Sequence, residues 1–255
     1  MKIVNLAHGA FYLVGGYIGI ATFTAARNFL VAVLAGVATA AVFGLASERV
    51  LLRRVRGKEL PEVLLTVGIA LVIADGCLAV FGGNPRSIPI PTVLSESVRL
   101  GGFTYPTYRL FVIALATAVG VLLYVVQHRT RLGALIRAGV DDRETAESMG
   151  INVPRVFTAM FVFGAALAGL AGVVAAGLLT LRPGADTDIL LYALVVVVVG
   201  GLGSLQGAAV GSALIGLVDA FSKAWVPELS YFAVFAPMAI VLMFRPSGLF
   251  GRSRT

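Results

Sequence analysis

The stretch 130–154, TRLGALIRAGVDDRETAESMGINVP, separates two long apolar segments of a chain that is otherwise poor in charge. Acidic, basic and apolar side chains are mixed along it, whereas the flanking segments carry almost no charge. Because charged residues are costly in hydrocarbon, the pattern predicts a loop at the membrane surface that contains a short amphipathic helix. We interpret this loop as a docking surface for a soluble partner, with a solvated connection between two helices as the alternative.

Composition places the rest of the chain in a lipid bilayer. Of the 255 residues, 58% are hydrophobic and 13% are charged, whereas soluble domains carry roughly 25% charged residues. A helix needs roughly 20 apolar residues to cross about 30 Å of hydrocarbon. The sequence therefore predicts an all-α fold, a polytopic transmembrane helix bundle of seven to eight segments, and we expect residues 1–255 to form a single membrane-spanning domain.

Eight apolar segments are candidate spans: residues 3–26, 29–52, 62–81, 109–128, 153–181, 189–199, 208–221 and 229–244. The Gly-, Pro- and Ser-rich stretch 82–108 predicts a loop with a short hairpin. Four glycines within residues 200–207 interrupt the last third of the chain. We interpret residues 189–221 as two crossings, with a re-entrant or broken helix as the alternative.

The distribution of basic residues orients the spans. If the glycine break is a turn, 14 of the 20 Lys and Arg residues fall on one side of the membrane, mainly within residues 49–58 and 129–155 and in the tail. The positive-inside rule then places residues 129–153 and the C-terminus in the cytoplasm, and residues 82–108 outside.

The sequence carries no signature of an enzyme, a metal site or a cofactor site. The net charge of +7 comes from residues in short loops, so nucleic-acid binding is not expected. Neither a G-x-x-x-x-G-K-[ST] phosphate loop nor a G-x-S-x-G elbow occurs. His8 and His128 are far apart and lack clustered ligands, and Cys77 lies in an apolar run where it predicts a small core residue. We expect no catalytic residue, no metal and no cofactor.

Polar side chains inside the spans are candidates for a translocation path. Asn5, His8 and Tyr12 are spaced by three and four residues and so share one face of the first helix. Asp75 is interpreted as the one acidic residue well inside a span. Such residues usually face a bundle interior or a water-filled path. The alternatives are hydrogen bonds to a neighbouring helix for Asn5 and His8, and an ion pair for Asp75.

The charged loop supplies the candidates for partner contact. We expect a helix from Asp142 to Met149 that is capped by Asp141 or Asp142 and ended by Gly150. The residues expected to meet the partner are Arg137, Asp142, Arg143, Glu144, Met149 and Gly150.

Small residues at every fourth position are expected to let helix backbones approach closely, either inside the subunit or at a subunit interface. In the C-terminal part of the chain these residues are Gly203, Gly207 and Gly211.

Four motifs, in this order, resemble those of a known family. They are NLAHG at residues 5–9, TRLG at 130–133, GGLGS at 200–204 and RPSGLFG at 245–251. Together they make nearly the whole chain similar to the inner-membrane permease of high-affinity branched-chain amino acid ABC importers, and in particular to the shorter of that system's two permeases.

The resemblance implies a multi-pass protein of the bacterial inner membrane that works by alternating access. Its charged loop would hold the coupling helix that docks an ATPase subunit, so hydrolysis would belong to the partners and not to this chain. The implied partners are a second, homologous permease, two ATPase subunits, an extracytoplasmic substrate-binding protein and membrane lipid. The implied substrates are leucine, isoleucine and valine.

One feature departs from the family pattern, because members usually carry a further apolar helix ahead of the NLAHG motif, whereas this chain begins at Met1. We interpret the start as an internal methionine, with a truncated form as the alternative. Permeases for urea, short amides, other amino acids, sugars or nucleosides remain alternatives, as do a passive channel and a structural membrane subunit.

Overall fold

The computed structural model describes residues 5–100 and 102–251, which are mostly helical. The helices are α1 (His8–Ala26), α2 (Phe29–Ala46), α3 (Arg53–Val55), α4 (Glu59–Phe81), α5 (Thr107–Arg129), α6 (Arg131–Asp141), α7 (Arg143–Ser148), α8 (Val153–Ala175), α9 (Ala185–Gly200), α10 (Leu205–Trp225) and α11 (Ser230–Phe244). A π-helical turn, Ser47–Leu52, joins α2 to α3. The predicted hairpin forms from β1 (Ser97–Leu100) and β2 (Phe103–Pro106), which pair antiparallel.

Within the described residues, seven helices are long and apolar enough to cross a membrane. They are α1, α2 with its continuation to Val55, α4, α5, α8, α10, and α11 with the turn before it. This confirms the predicted polytopic bundle. The predicted crossings at 189–221 correspond to two separate helices, α9 and α10, of which α9 has 16 residues, fewer than the roughly 20 that a full span needs.

Two predicted segments differ from the helices at one end. Within the described residues the first helix begins at His8, because the Asn5 side chain accepts a hydrogen bond from the Ala7 amide, 3.0 Å away, in a turn that precedes the helix. The start of the predicted segment, at residue 3, lies outside the described residues. The predicted segment 153–181 is helical only to Ala175. Its last residues instead run back along another loop, where the Leu181 and Arg86 backbones exchange hydrogen bonds of 2.7 and 2.8 Å.

The described residues divide into two compact units that meet between Thr187 and Asp188. In the first unit α1 packs against α2, α4 and α8, and α2 also packs against α8. The contact rests on glycines: a Cβ atom on Gly169 of α8 would lie 2.5 Å from the Ala40 Cβ and 2.8 Å from the Gly36 carbonyl oxygen of α2. A Cβ on Gly15 of α1 would lie 2.5 Å from the Gly169 Cα. Helix backbones can approach this closely only where side chains are missing.

In the second unit, Val195, Val199, Ile215 and Val234 form the core. Gly207 and Gly211 lie at close backbone contacts: a Cβ on Gly211 would lie 2.7 Å from the Val196 carbonyl oxygen, and one on Gly207 would clash with the Gly200 backbone. The expectation for Gly203 was wrong: it lies in the turn between α9 and α10 with φ of +83° and nothing within 4 Å of its Cβ position. Only glycine adopts this backbone conformation without strain.

The C-terminal motif packs on the same turn. The Leu249 and Phe250 amides donate to the carbonyl oxygens of Val199 and Gly200 at 2.9 and 3.0 Å. Gly248, with φ of +82°, is so close to Gly201 that a Cβ would lie 2.5 Å from the Gly201 Cα. The GGLGS and RPSGLFG motifs therefore form one structural feature.

We predict that Gly169→Ala destabilises the purified chain, because its Cβ overpacks the contact with α2 at a cost of about 1–3 kcal/mol. Gly68→Ala is the matched control: nothing lies within 4 Å of its Cβ position, so the higher helix propensity of Ala stabilises α4 by up to about 1 kcal/mol. Thermal unfolding in detergent measures both variants. Equal melting temperatures would contradict the glycine-dependent contact.

Candidate functional site

The 129–153 loop folds as two helices: α7 corresponds to the helix expected from Asp142 to Met149, whereas α6 before it was not expected. Thr130 begins α6, where its Oγ1 accepts a hydrogen bond from the Gly133 amide at 3.3 Å. At Asp142 the backbone is extended, with φ of −145° and ψ of 99°, and this residue ends α6 and begins α7. The Asp142 carboxylate accepts from the Thr145 amide at 3.1 Å and from the Thr145 hydroxyl at 2.5 Å. Asp142, one of the two predicted caps, is therefore the residue that breaks the loop into two helices.

The same hydrogen bonds fix the charge of Asp142. The Thr145 hydroxyl and then the Thr145 amide hold the pKa of Asp142 below its usual value, because both donors favour the ionised carboxylate. Asp142 is therefore an anion at neutral pH.

The outer face of α7 is charged and open. Arg143 Nε pairs with Glu147 Oε1 at 2.9 Å, one turn further along, and both side chains are about half exposed. Glu144 is also exposed. Met149 follows the helix with 76% of its surface exposed, and Gly150, with φ of +85°, ends the segment. An exposed methionine beside mixed charges is a chemically suitable contact for another protein surface.

The inner face of α7 is anchored to α8. Ala146 is only 3% exposed and packs with Val153 and Phe157, at the start of α8, in a small apolar core. The Ile151 amide donates to the Ala146 carbonyl oxygen at 3.1 Å across the connecting turn. The segment thus has one face that a partner can reach and one face that is fixed to a membrane span.

Arg137 and Gly133 tie α6 to the end of α5. The Arg137 guanidinium donates to the Gln127 carbonyl oxygen in the last turn of α5. A Cβ on Gly133 would lie 2.6 Å from the Val126 carbonyl oxygen. This close approach explains the glycine of the TRLG motif. Arg137, for which a partner contact was predicted, has an intramolecular contact instead.

A buried ion pair, which the sequence analysis missed, lies beside this segment. Glu48 in the π-helical turn is 1% exposed, pairs with Arg56 and accepts a hydrogen bond from the Thr158 hydroxyl of α8 at 2.8 Å. The Arg56 guanidinium also lies 5.9 Å from the centre of the Phe157 ring. The available signal was an acidic residue inside the apolar run 29–52, and π-helical turns are frequent at functional sites.

The predicted path residues fall into two separate places. Asn5 Nδ2 lies 2.9 Å from His8 Nδ1, and His8 Nε2 is 3.1 Å from the Cβ position of Gly164 in α8. Tyr12 is buried one turn further along α1. Asp75 instead lies on the exposed side of α4, where it has no hydrogen bond or ion pair with the rest of the described chain.

Known proteins resemble the chain along almost its whole length. Residues 1–242 match the family model for the permease component of the branched-chain amino acid transport system. The high-affinity branched-chain amino acid transport system permease protein BraD of Pseudomonas aeruginosa is 29% identical over 98% of this chain and 86% of its own length. LivH of Escherichia coli K12, with the same description, is 28% identical over the same shares.

LivM of Salmonella typhimurium, also named as a permease protein of high-affinity branched-chain amino acid transport, is 29% identical over 99% of this chain and 64% of its own length. No solved structure matches the chain. The family match, the shared lengths and the seven apolar helices agree: this chain belongs to the family of branched-chain amino acid transport permease components.

Proposed function

We propose that this chain is a membrane-spanning subunit of an ATP-driven importer of branched-chain amino acids in the bacterial inner membrane. Family membership and seven apolar helices support a permease. The observation that carries the proposal is the two-sided α7, exposed along its charged face and packed through Ala146 on α8. ATP hydrolysis belongs to two partner ATPase subunits, and the chain itself is not an enzyme.

The remaining partners are a second permease and a substrate-binding protein outside the membrane. The similarity to both LivH and LivM, which are named in the same kind of transport system, supports two homologous permeases. The hairpin in the 82–108 loop exposes Phe103 and Tyr105, and exposed aromatic side chains are common at protein interfaces. The binding protein docks on this side.

Movement of the docked ATPase subunit is transmitted to the membrane-spanning helices through α8. An ATPase subunit binds the exposed side of α7 at Arg143, Glu144 and Met149. Asp142 and Gly150 lie at the two ends of this binding segment. Because Ala146 is packed on α8, movement of α7 moves α8, which contacts α1 and α2 along their glycines. The interior of the membrane domain thereby responds to ATP.

The translocation path runs beside the predicted polar residues. Asn5, His8 and Tyr12 are the candidates on the α1 side. Asp75 faces the second permease from the exposed side of α4, because an unpaired carboxylate facing hydrocarbon would be strongly unfavourable.

We predict that the double reversal Arg143→Glu with Glu144→Arg uncouples ATP hydrolysis from uptake. The net charge is conserved, but both signs on the docking face are exchanged. Proteoliposomes that contain this chain, its companion permease, the ATPases and the binding protein are loaded with ATP, and labelled leucine uptake and phosphate release are measured together. The wild-type complex takes up leucine only with ATP inside. The variant remains in the membrane and still releases phosphate, but its rate of leucine uptake is at least tenfold lower.

The matched control is Arg54→Glu with Glu59→Arg, an exchange of two exposed charges on the same side of the membrane but away from α7. This control retains uptake. Full uptake by the Arg143 and Glu144 variant would contradict docking at α7. If the wild-type complex took up urea or fructose but not leucine, the proposed substrate class, branched-chain amino acids, would be wrong.

We further predict that Ala146→Phe separates docking from transmission. The larger side chain cannot fit the core with Val153 and Phe157 and forces α7 away from α8. ATPase subunits still co-purify, because the charged face is unchanged, but uptake per ATP hydrolysed falls severalfold. Ala134→Phe, the same change at an exposed position of α6, serves as the control. If both variants took up the same amount of leucine per ATP hydrolysed, the Ala146 contact would not be what transmits movement from α7 to α8.

A further inference from the structure

Tyr17 lies midway along α1 and has an unusual hydroxyl group. The side chain is 1% exposed, and within the described residues its hydroxyl is the buried side-chain polar atom that finds no hydrogen-bond partner. Buried polar groups are nearly always paired, because leaving one unpaired costs the hydration it has lost. A partner from outside this chain would remove that cost.

Phe81, at the end of α4, contacts both Tyr17 and the Arg86 guanidinium. The Tyr17 and Phe81 rings stack with their centres 5.0 Å apart and their planes 6° apart. The Arg86 guanidinium lies 5.9 Å from the centre of the same Phe81 ring and donates from Nη2 to the Phe81 carbonyl oxygen at 2.7 Å. A guanidinium has five N–H donors in a fork that suits a carboxylate, so this one hydrogen bond leaves donors for a ligand.

Asp186, in the first turn of α9, supplies the opposite charge. Its side chain is buried, with 9% exposed, and it has no hydrogen bond or ion pair within the described residues. It follows by five residues Leu181, which contacts α1 at Gly16, next to Tyr17.

The backbone explains how these groups meet. Leu181, five residues before Asp186, pairs with Arg86 through two backbone hydrogen bonds. Its Cδ2 is 2.9 Å from the Cβ position of Gly16, next to Tyr17. The loop after α8 therefore returns to the middle of α1, and substrate sites of transporters commonly lie near the bilayer midplane.

We propose that Tyr17, Arg86 and Asp186 bind the head group of an α-amino acid as it passes through the permease. Arg86 and the Tyr17 hydroxyl take the carboxylate, and Asp186 takes the ammonium group. A zwitterion satisfies the hydroxyl and both charges at once, whereas a sugar or urea leaves both charges uncompensated. The rings of Tyr17 and Phe81, with Leu181, offer apolar surface to an aliphatic side chain. The assignment rests on the proposed function and names its substrate contacts.

The test is direct binding of labelled leucine to the full chain in lipid nanodiscs, without ATPases or binding protein. Leucine binds saturably. Leucinamide, which lacks the carboxylate, and 4-methylpentanoate, which lacks the ammonium group, each compete at least tenfold more weakly, because each leaves one charge of the site unpaired.

Two hydroxyl deletions separate binding from packing. Tyr17→Phe weakens leucine binding about tenfold, the loss expected for one hydrogen bond to a charged group, and does not lower the melting temperature. Tyr108→Phe is the control, because the Tyr108 hydroxyl is also buried but donates to the Val174 carbonyl oxygen at 2.8 Å. That variant lowers the melting temperature and leaves leucine affinity unchanged. Arg86→Gln and Asp186→Asn each remove detectable binding.

Wild-type affinity in Tyr17→Phe together with a raised melting temperature would show that the hydroxyl is only a packing defect and would overturn the assignment. Absence of leucine binding by the wild-type chain would overturn it as well. ATP-driven uptake, measured on the same preparation reconstituted with its partners, decides the proposed function separately: uptake without binding rejects this site alone, and binding without uptake rejects the importer alone.

Discussion

The close backbone approach at Gly169 is the constraint on which the first unit depends. At Gly169, α8 meets Gly15 of α1 and Gly36 and Ala40 of α2, with no room for a side chain on Gly169. Because lipid tails are as apolar as the helix surfaces, the hydrophobic effect does not drive association between membrane-spanning helices. Close packing of this kind holds the helices together instead. Three spans therefore behave as one block, and what moves α8 moves the other two.

The block formed by α1, α2 and α8 makes polar or charged contacts at two places along α8. Where α8 begins, Ala146 packs α7 against Phe157, and the Thr158 hydroxyl donates to the buried Glu48 of the neighbouring span. Beyond the glycine contact, the loop after α8 returns to α1, where Leu181 contacts Gly16 and pairs with Arg86. In the proposals made above, α8 therefore connects the surface assigned to the ATPase subunit with the residues assigned to the amino acid.

The sequence predicts the parts that depend on local composition. Long apolar runs predicted eight segments, seven of which correspond to the helices long enough to span, while residues 189–199 correspond to the shorter α9. Turn residues predicted the hairpin. It could not predict features that depend on distant partners. α8 stops at Ala175, because the loop that follows it pairs through Leu181 with Arg86, and Glu48 is buried beside Arg56 and Thr158. Residues 1–4 lie outside the described part of the chain.

Transmission through Ala146 requires that α7 and α8 move as one body in the proposed ATP-driven importer. The distance between spin labels at Ser148 of α7 and Phe163 of α8, both exposed, measures this on a Cys77→Ala background in the reconstituted complex. We expect the same distance in the nucleotide-free and ATP-trapped states, while uptake remains ATP-dependent. A shift of several ångströms between the two states would contradict transmission through the Ala146 contact.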